Sequence, residues 1–280
     1  MSARPNMRPP VSSPVTLVLD VVDSTPGQPA IVKTAAPHFC LTGDTVRISG
    51  HSDAALNADH VVTVLSLLTF SVPVLATGGT GGYATVVRPA EPLTLDEGKL
   101  RAGLDWLDGD PRDALMRNFI AGARRQVEFD THLAVRLQVR DVFVDDLSYG
   151  LGWPDGPHWP GQSLPLAAVL EVSYVDQDGD THVVDASVYE VDRASGRLAL
   201  APGQSWPTAS LRTLSPWVVR IASGWPTLAA IPADLIDAIG LLTAHRATTG
   251  RDLATSGASV NTVPMGYDSL IEGYRMEVLA

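Results

Sequence analysis

The sequence is poor in the features that would make its function easy to read. Cys40 is its one cysteine, which excludes an internal disulfide and suits assembly in a reducing cytoplasm. It reads either as a reactive thiol or, preferably, as a small buried thiol on a strand. No apolar run reaches the roughly 18 to 20 residues that a bilayer span requires, so no membrane partner is expected. Positive charge is scarce: 20 Lys and Arg stand against 31 Asp and Glu, a net charge of −11. Residues 1–88 hold five basic and five acidic side chains, so the remaining 15 basic and 26 acidic residues carry the whole excess. A protein that grips nucleic acid by its phosphates needs the opposite sign, which excludes sequence-specific DNA binding as the expected role. An acidic surface past which DNA slides is compatible with these numbers.

The seven histidines (38, 51, 60, 132, 158, 182 and 245) are scattered, and no second cysteine completes a zinc set with His38 and Cys40. Neither a Gly-x-Ser-x-Gly elbow nor a His-Glu-x-x-His pair occurs. Gly78-Gly-Thr-Gly-Gly82 lacks the Lys-Ser/Thr of a phosphate loop and no helical pattern follows it, so it reads as a turn before a strand. Asp176-Gln-Asp-Gly-Asp180 tempts a calcium reading, yet strand patterns flank it and Asp-Gly is tight-hairpin chemistry. The expectation is no catalytic residue, no cofactor, no metal and no enzyme activity.

What is present divides into two regions. Residues 1–14 hold Arg4, Arg8 and four prolines without an apolar core, so they read as a flexible arm rather than a signal peptide. Residues 15–88 hold short β-branched runs (Val15–Leu19, Asp44–Ser49, His60–Leu65, Thr69–Val74) separated by Gly, Asn, Asp and Pro, the pattern of a small β-sandwich or barrel module. Val46 and Ile48 alternate with Thr45, Arg47 and Ser49, which puts one face inward.

After Pro89–Pro92 the periodicity changes. Thr94-Leu-Asp-Glu97 is a capping box, with Leu100, Leu104 and Leu107 following at helical spacing. Asp110-Pro111 restarts a helix, with Asp as N-cap; Leu115, Phe119, Ala123 and Val127 line one face, beside Ile120. Arg117, Arg124 and Arg125 read either as groups that meet a partner's carboxylates or, preferably, as a solvated face. From Val135 the period falls toward two. Ser148–Gly161 is a loop carrying Trp153 and Trp159, either a sugar-stacking platform or, preferably, anchors of a subunit contact. Strand patterns flank the Asp176–Asp180 turn and recur at Tyr189–Asp192, Gly196–Leu200 and Trp217–Ile221. Pro232 opens a last helix with Ile236, Ile239, Leu242 and His245 facing the core, and Gly250 as its stop. Thr255–Asn261 reads as mobile. The tail that follows, with Pro264, Met265, Tyr267, Leu270, Ile271 and Tyr274, either folds back or docks onto a neighbour.

From Arg88 to Arg275 an ordered set of strings resembles the head–tail connector family of tailed bacteriophages, also called head-completion or neck adaptor proteins. The strings are Glu91–Leu100, the second helix to Glu128, Val169–Asp176 with its Asp-Gly turn, Tyr189–Asp192, Gln204–Pro207, Arg220–Gly224, the Pro232 helix and Val263–Gly266. The β module before Arg88 lies outside the usual family core, and Thr248-Thr-Gly250 departs from its polar helix end. The resemblance implies an α+β chain: the N-terminal β module, then, over 89–280, a helical bundle with an inserted β-hairpin region, forming a ring. It implies a virion protein of the neck, assembled in the host cytoplasm, without enzyme activity or cofactor. Twelve copies would seat beneath the portal protein, extend the channel for passing double-stranded DNA, and present a face to a tail-completion, stopper or tail-terminator protein. Its C-terminal segment would reach the portal, making Pro264, Met265, Tyr267, Leu270, Ile271 and Tyr274, with Trp153 and Trp159, the candidate contacts. The alternatives are another ring protein of the particle, a tail terminator or baseplate component, and a carbohydrate-binding module built on Trp153 and Trp159.

Overall fold

A computed structural model describes residues 11–148, 150–152, 159–208, 210–256 and 266–275. The strands are β1 (Val11–Pro14), β2 (Val18–Thr25), β3 (Ala30–Thr34), β4 (Thr45–Ser49), β5 (Asp59–Val61), β6 (Thr63–Val64), β7 (Thr69–Val72), β8 (Gly79–Thr80) and β9 (Tyr83–Arg88). Helices α1 (Leu95–Arg101) and α2 (Arg112–Thr131) follow. Then come β10 (Gln138–Val144), β11 (Leu166–Val175), β12 (Thr181–Val183), β13 (Tyr189–Asp192), β14 (Arg197–Leu200) and β15 (Trp217–Ser223). Helices α3 (Ala233–Ser256) and α4 (Tyr267–Ile271) end the order. No described helix is long and apolar enough to cross a membrane.

The chain forms two compact units, one of residues 1–90 and 137–227, the other of 91–136 and 228–280. This differs from the expected division into 1–14, 15–88 and 89–280. One division falls between Ala90 and Glu91, and the β segment inserted between the helices groups with the N-terminal strands. β1 supplies part of the reason: it pairs antiparallel with β10 along Val11–Pro14, so 11–14 are a strand rather than an arm.

In the first unit, strands β2 to β9 make a near-closed antiparallel barrel in the order β5-β4-β9-β2-β3-β7-β6, with β8 on β2. β5 and β6 are consecutive stretches of chain broken only at Val62, so one segment pairs with β4 at one end of the order and β7 at the other. Alternation places Val46 and Ile48 inside with Val21, Val32, Phe70 and Ala84, while Arg47 and Ser49 point outward, Arg47 pairing with Asp59. Cys40 is buried, in a loop rather than on a strand. The glycine run does precede β9, but it is not a turn throughout: Gly79–Thr80 within it form β8 on β2, and an added Cβ on Gly82 would stand 2.6 Å from the His51 amide nitrogen, so only glycine fits there.

The same unit holds a five-stranded antiparallel sheet, β1-β10-β15-β11-β12, and the two-stranded β13-β14. The Asp176–Asp180 turn joins β11 to β12 as expected: the Asp176 carboxylate accepts from the Asp178 and Asp180 amides, and Gly179 sits at φ 91°. A bidentate pair, Arg220 to Asp141, bridges β15 and β10 at 2.8 and 3.0 Å. Beneath the sheet, Val142, Leu147, Leu151, Trp159, Leu198, Trp217, Val219 and Ile221 form one core.

The second unit is helical. The α1 capping box is present in both directions, Glu97 amide to Thr94 hydroxyl and Thr94 amide to Glu97 carboxylate. The helix then stops at Arg101, earlier than Leu100, Leu104 and Leu107 suggested. Gly103 takes φ 65°, its amide reaches the Leu100 carbonyl and the Leu104 amide reaches Lys99, the paired bonds of a glycine-terminated helix. Leu100 and Leu107 are therefore 79% and 86% exposed rather than buried. Asp110 works one position earlier than a strict N-cap, its carboxylate accepting from the Arg112 amide. The buried face of α2 is also rotated from the expected one: Met116, Ile120, Ala123, Arg124, Val127 and Glu128 point inward, while Leu115 is exposed. Gly98 lets α1 approach α2, because a Cβ there would meet Ile120 Cδ1 at 2.8 Å. On α3, Leu235, Ala238, Ile239 and Leu242 are buried, Ile236 and His245 half-buried. The helix runs through Gly250 instead of stopping.

Candidate functional site

The C-terminal segment folds back within the helical unit over its described part. α4 packs against α3 and α2; Tyr267 and Ile271 are 1% and 0% exposed. The Tyr267 hydroxyl donates to Asp130 at 2.7 Å, and burial together with that carboxylate pushes the phenol far above its usual range. Leu270 and Tyr274 are half-buried, with the Tyr274 hydroxyl 3.5 Å from Asp234. Of the expected contacts, Tyr267 and Ile271 are thus spent on this chain's own core, whereas Leu270 and Tyr274 keep an outward side. Pro264 and Met265 lie outside the described residues, as does most of Thr255–Asn261.

Trp159 is 8% exposed in the core of the five-stranded sheet, and its indole N–H donates to the Gly196 carbonyl. Such a ring has no face for a sugar or a partner. This corrects the expected contact at Trp159; it is an internal anchor. Trp153 lies outside the described residues.

One buried polar cluster of the helical unit was not expected from the sequence. Arg124, expected in solvent, lies between Glu91 and Glu128: its Nε donates to Glu91 at 2.7 Å and its Nη1 to Glu128 at 2.6 Å. The other Glu128 oxygen accepts from the Val135 amide at 3.0 Å. Burial pushes the Glu128 carboxyl up against the pull of Arg124. Burial opposes the charge on Arg124, but Glu128 and Glu91 outweigh it and raise its pKa. The cluster ties the entry to the helical unit, helix α2 and the exit from that helix into one buried knot.

A second cluster sits at the amino-terminal ends of α1 and α2, around a depression of about 580 Å³ lined by Asp96, Asp108, Asp110, Asp113 and Arg117 among others. Lys99 Nζ reaches Asp108 at 2.9 Å and Asp113 at 3.0 Å, and the Trp106 indole donates to Asp113 at 2.7 Å. The Trp106 hydrogen bond leads in lowering the Asp113 pKa. The Arg112 guanidinium and amide hold Asp110 down to about 2. Three of these carboxylates are committed to cations of their own chain, which leaves them poorly placed for proton transfer or for a metal. Among the described residues no group of three His, Cys, Asp or Glu side chains could hold an ion.

The barrel histidines are structural. His38 Nε2 lies 2.8 Å from the Ser66 carbonyl while its Nδ1 accepts from the Cys40 amide at 3.0 Å, and burial lowers its pKa. His51 Nδ1 accepts from the Asp53 amide at 3.0 Å.

No protein-family model matches the sequence, and no curated protein matches it. Among solved structures the chain is similar to one in the neck of an empty gene transfer agent (GTA) particle treated with C6 symmetry, at 23% identity and a TM-score of 0.49. It is similar to another in the virion of a native GTA particle, at 22% identity and a TM-score of 0.49. A third lies in the neck of a native GTA particle treated with C12 symmetry, at 22% identity and a TM-score of 0.42. The matches cover 68% of this chain and 92%, 92% and 96% of theirs. Likeness at this distance does not establish membership of a family.

Proposed function

We propose that this chain is a structural neck protein of a phage-like particle, and in finer terms a head–tail connector. In this reading copies form a ring under the portal, extend the DNA channel, and offer the attachment face for the tail. What carries it is the order of residue strings between Glu91 and Gly266. These strings fall on α1, α2, the β11–β12 hairpin, β13, β15 and α3, in the sequence the connector resemblance calls for. Two of the GTA chains above belong to necks and the third to a virion, but they are too distant to carry the reading.

The role needs surfaces rather than a reacting pocket. Leu270 and Tyr274, with Pro264 and Met265 just before α4, are the proposed portal contacts. The excess of 26 acidic over 15 basic residues in 89–280 suits a channel wall, because a ring multiplies the charge and repels phosphates, keeping the duplex mobile. Cryo-electron microscopy of particles tests the proposal. Density for this chain between portal and tail tube is expected; density at the baseplate or at the head-distal end of the tail tube would overturn it.

A further inference from the structure

Among the described residues the helical unit leaves two apolar spots open, and they carry opposite charge. On α2, Leu115 and Phe129 are 52% and 65% exposed. They stand fourteen residues apart, about four turns and roughly 21 Å along one side of the helix. Arg125 lies one turn before Phe129, is exposed, and makes no hydrogen bond or ion pair among the described residues. The second spot is the end of α1 and the loop after it, where Leu100 and Leu107 are 79% and 86% exposed. Asp105 stands between them, also exposed and also without a hydrogen bond or ion pair among the described residues. Single exposed leucines are ordinary on soluble proteins. Here Arg125 stands one turn from the exposed Phe129, and Asp105, whose charge also acts on Arg112 of its own chain, stands between the exposed Leu100 and Leu107 with the sign that Arg125 needs.

We propose that these two spots meet between copies of this chain, the Leu115–Arg125–Phe129 face of α2 receiving the Leu100–Asp105–Leu107 edge of a neighbour. The contact joins different patches, so it is heterologous, and repetition with a closing rotation generates a ring. Apolar burial supplies the attraction, and the Arg125–Asp105 pairing fixes register and rejects misaligned docking. The inference rests on the ring reading above and names the surface that would build it.

Sedimentation equilibrium of the purified full chain, from micromolar to millimolar, tests the contact. The wild type is expected to self-associate. Phe129→Glu, Arg125→Asp and Asp105→Arg should each weaken association at least tenfold while leaving the circular dichroism spectrum unchanged, since all three side chains are exposed. Arg125→Asp combined with Asp105→Arg in one chain should restore association, as should mixing the two single variants. A wild type that stays monomeric throughout, single variants that associate like the wild type, or a double variant no better than the singles would each overturn the proposal. Particle imaging separates this from the functional reading: a monomeric chain still found at the neck sinks the contact alone, and an associating chain found elsewhere sinks the function alone.

Discussion

Replacing Arg124 by methionine tests the view that a buried ionic knot organises the helical unit. Methionine keeps much of the aliphatic length and removes the charge. It leaves the carboxylates of Glu91 and Glu128, which in the wild type stand 2.7 and 2.6 Å from the guanidinium, without a counter-ion. The Glu128 side chain is only 4% exposed, so water cannot replace the lost partner, whereas Glu91 at 19% is partly rescued. Breaking a buried pair on one side costs about 3–5 kcal/mol, which lowers the folded-to-unfolded ratio by about 150- to 5,000-fold at 25 °C. Urea unfolding followed by helical circular dichroism reads this directly. The pH dependence sharpens the test. Burial already holds the Glu128 carboxyl above its ordinary 4.5, and removing Arg124 pushes it higher. A carboxyl whose folded pKa is raised contributes stability below its unfolded value and loses it as pH rises through the folded one. The deficit of Arg124→Met should therefore be greatest near neutrality and shrink toward pH 4. Adding Glu128→Gln, which keeps an acceptor for the Val135 amide, should recover much of the loss at pH 7. A cost below about 1 kcal/mol, the ordinary ceiling for an exposed pair, or a deficit independent of pH, would refute the reasoning.

Further outcomes follow from the same geometry. Tyr267→Phe removes the donor to Asp130 and should cost about 1–2 kcal/mol by urea unfolding. Because the folded phenol resists ionisation, wild-type stability should be complete below the ordinary tyrosine value of 10.0 and fall as pH rises above it, with Tyr267→Phe falling less steeply. His38, held neutral by burial against the carbonyls at its Nε2 that favour the charged ring, should draw barrel stability down as pH drops through 6.5, since the unfolded chain takes the proton first; His38→Gln should flatten that slope in denaturation at pH 7.5 and 5.5. Trp159→Ala should cost about 3–5 kcal/mol in thermal or chemical unfolding if the ring is an internal anchor, and nearly nothing if it is a surface platform.

Local signals in the sequence survived folding best. The Thr94–Glu97 capping box, the Asp-Gly hairpin and the Val46/Ile48 alternation each depend on residues within a few positions of one another; the first two stand as read, and the third does except at Thr45, which is buried. The α2 face was misplaced because Arg124 and Glu128 point inward. Two charged residues in a buried stripe break the apolar period, and only their pairing with each other and with Glu91, 33 positions away from Arg124, makes the burial tolerable. Leu100, Leu104 and Leu107 mimicked a continuing helix, while Gly103 alone ended it. Gly250 misled in the other direction, since a glycine inside a helix costs only about 1 kcal/mol. The grouping of 137–227 with the N-terminal strands was hidden for a different reason: it depends on pairings such as Val11 with Phe143, which no spacing rule reveals. The candidate contacts divide the same way. Tyr267 and Ile271 looked like docking residues because an isolated five-residue helix cannot bury them, and α3 and α2 do.

The central claim is that this chain joins head to tail by its surfaces, and localisation in purified particles addresses it most directly. Cryo-electron microscopy should show a symmetric ring of this chain between portal and tail tube, with α4 and the residues just before it turned toward the portal. Its absence from purified particles, or its density elsewhere in them, would contradict the account.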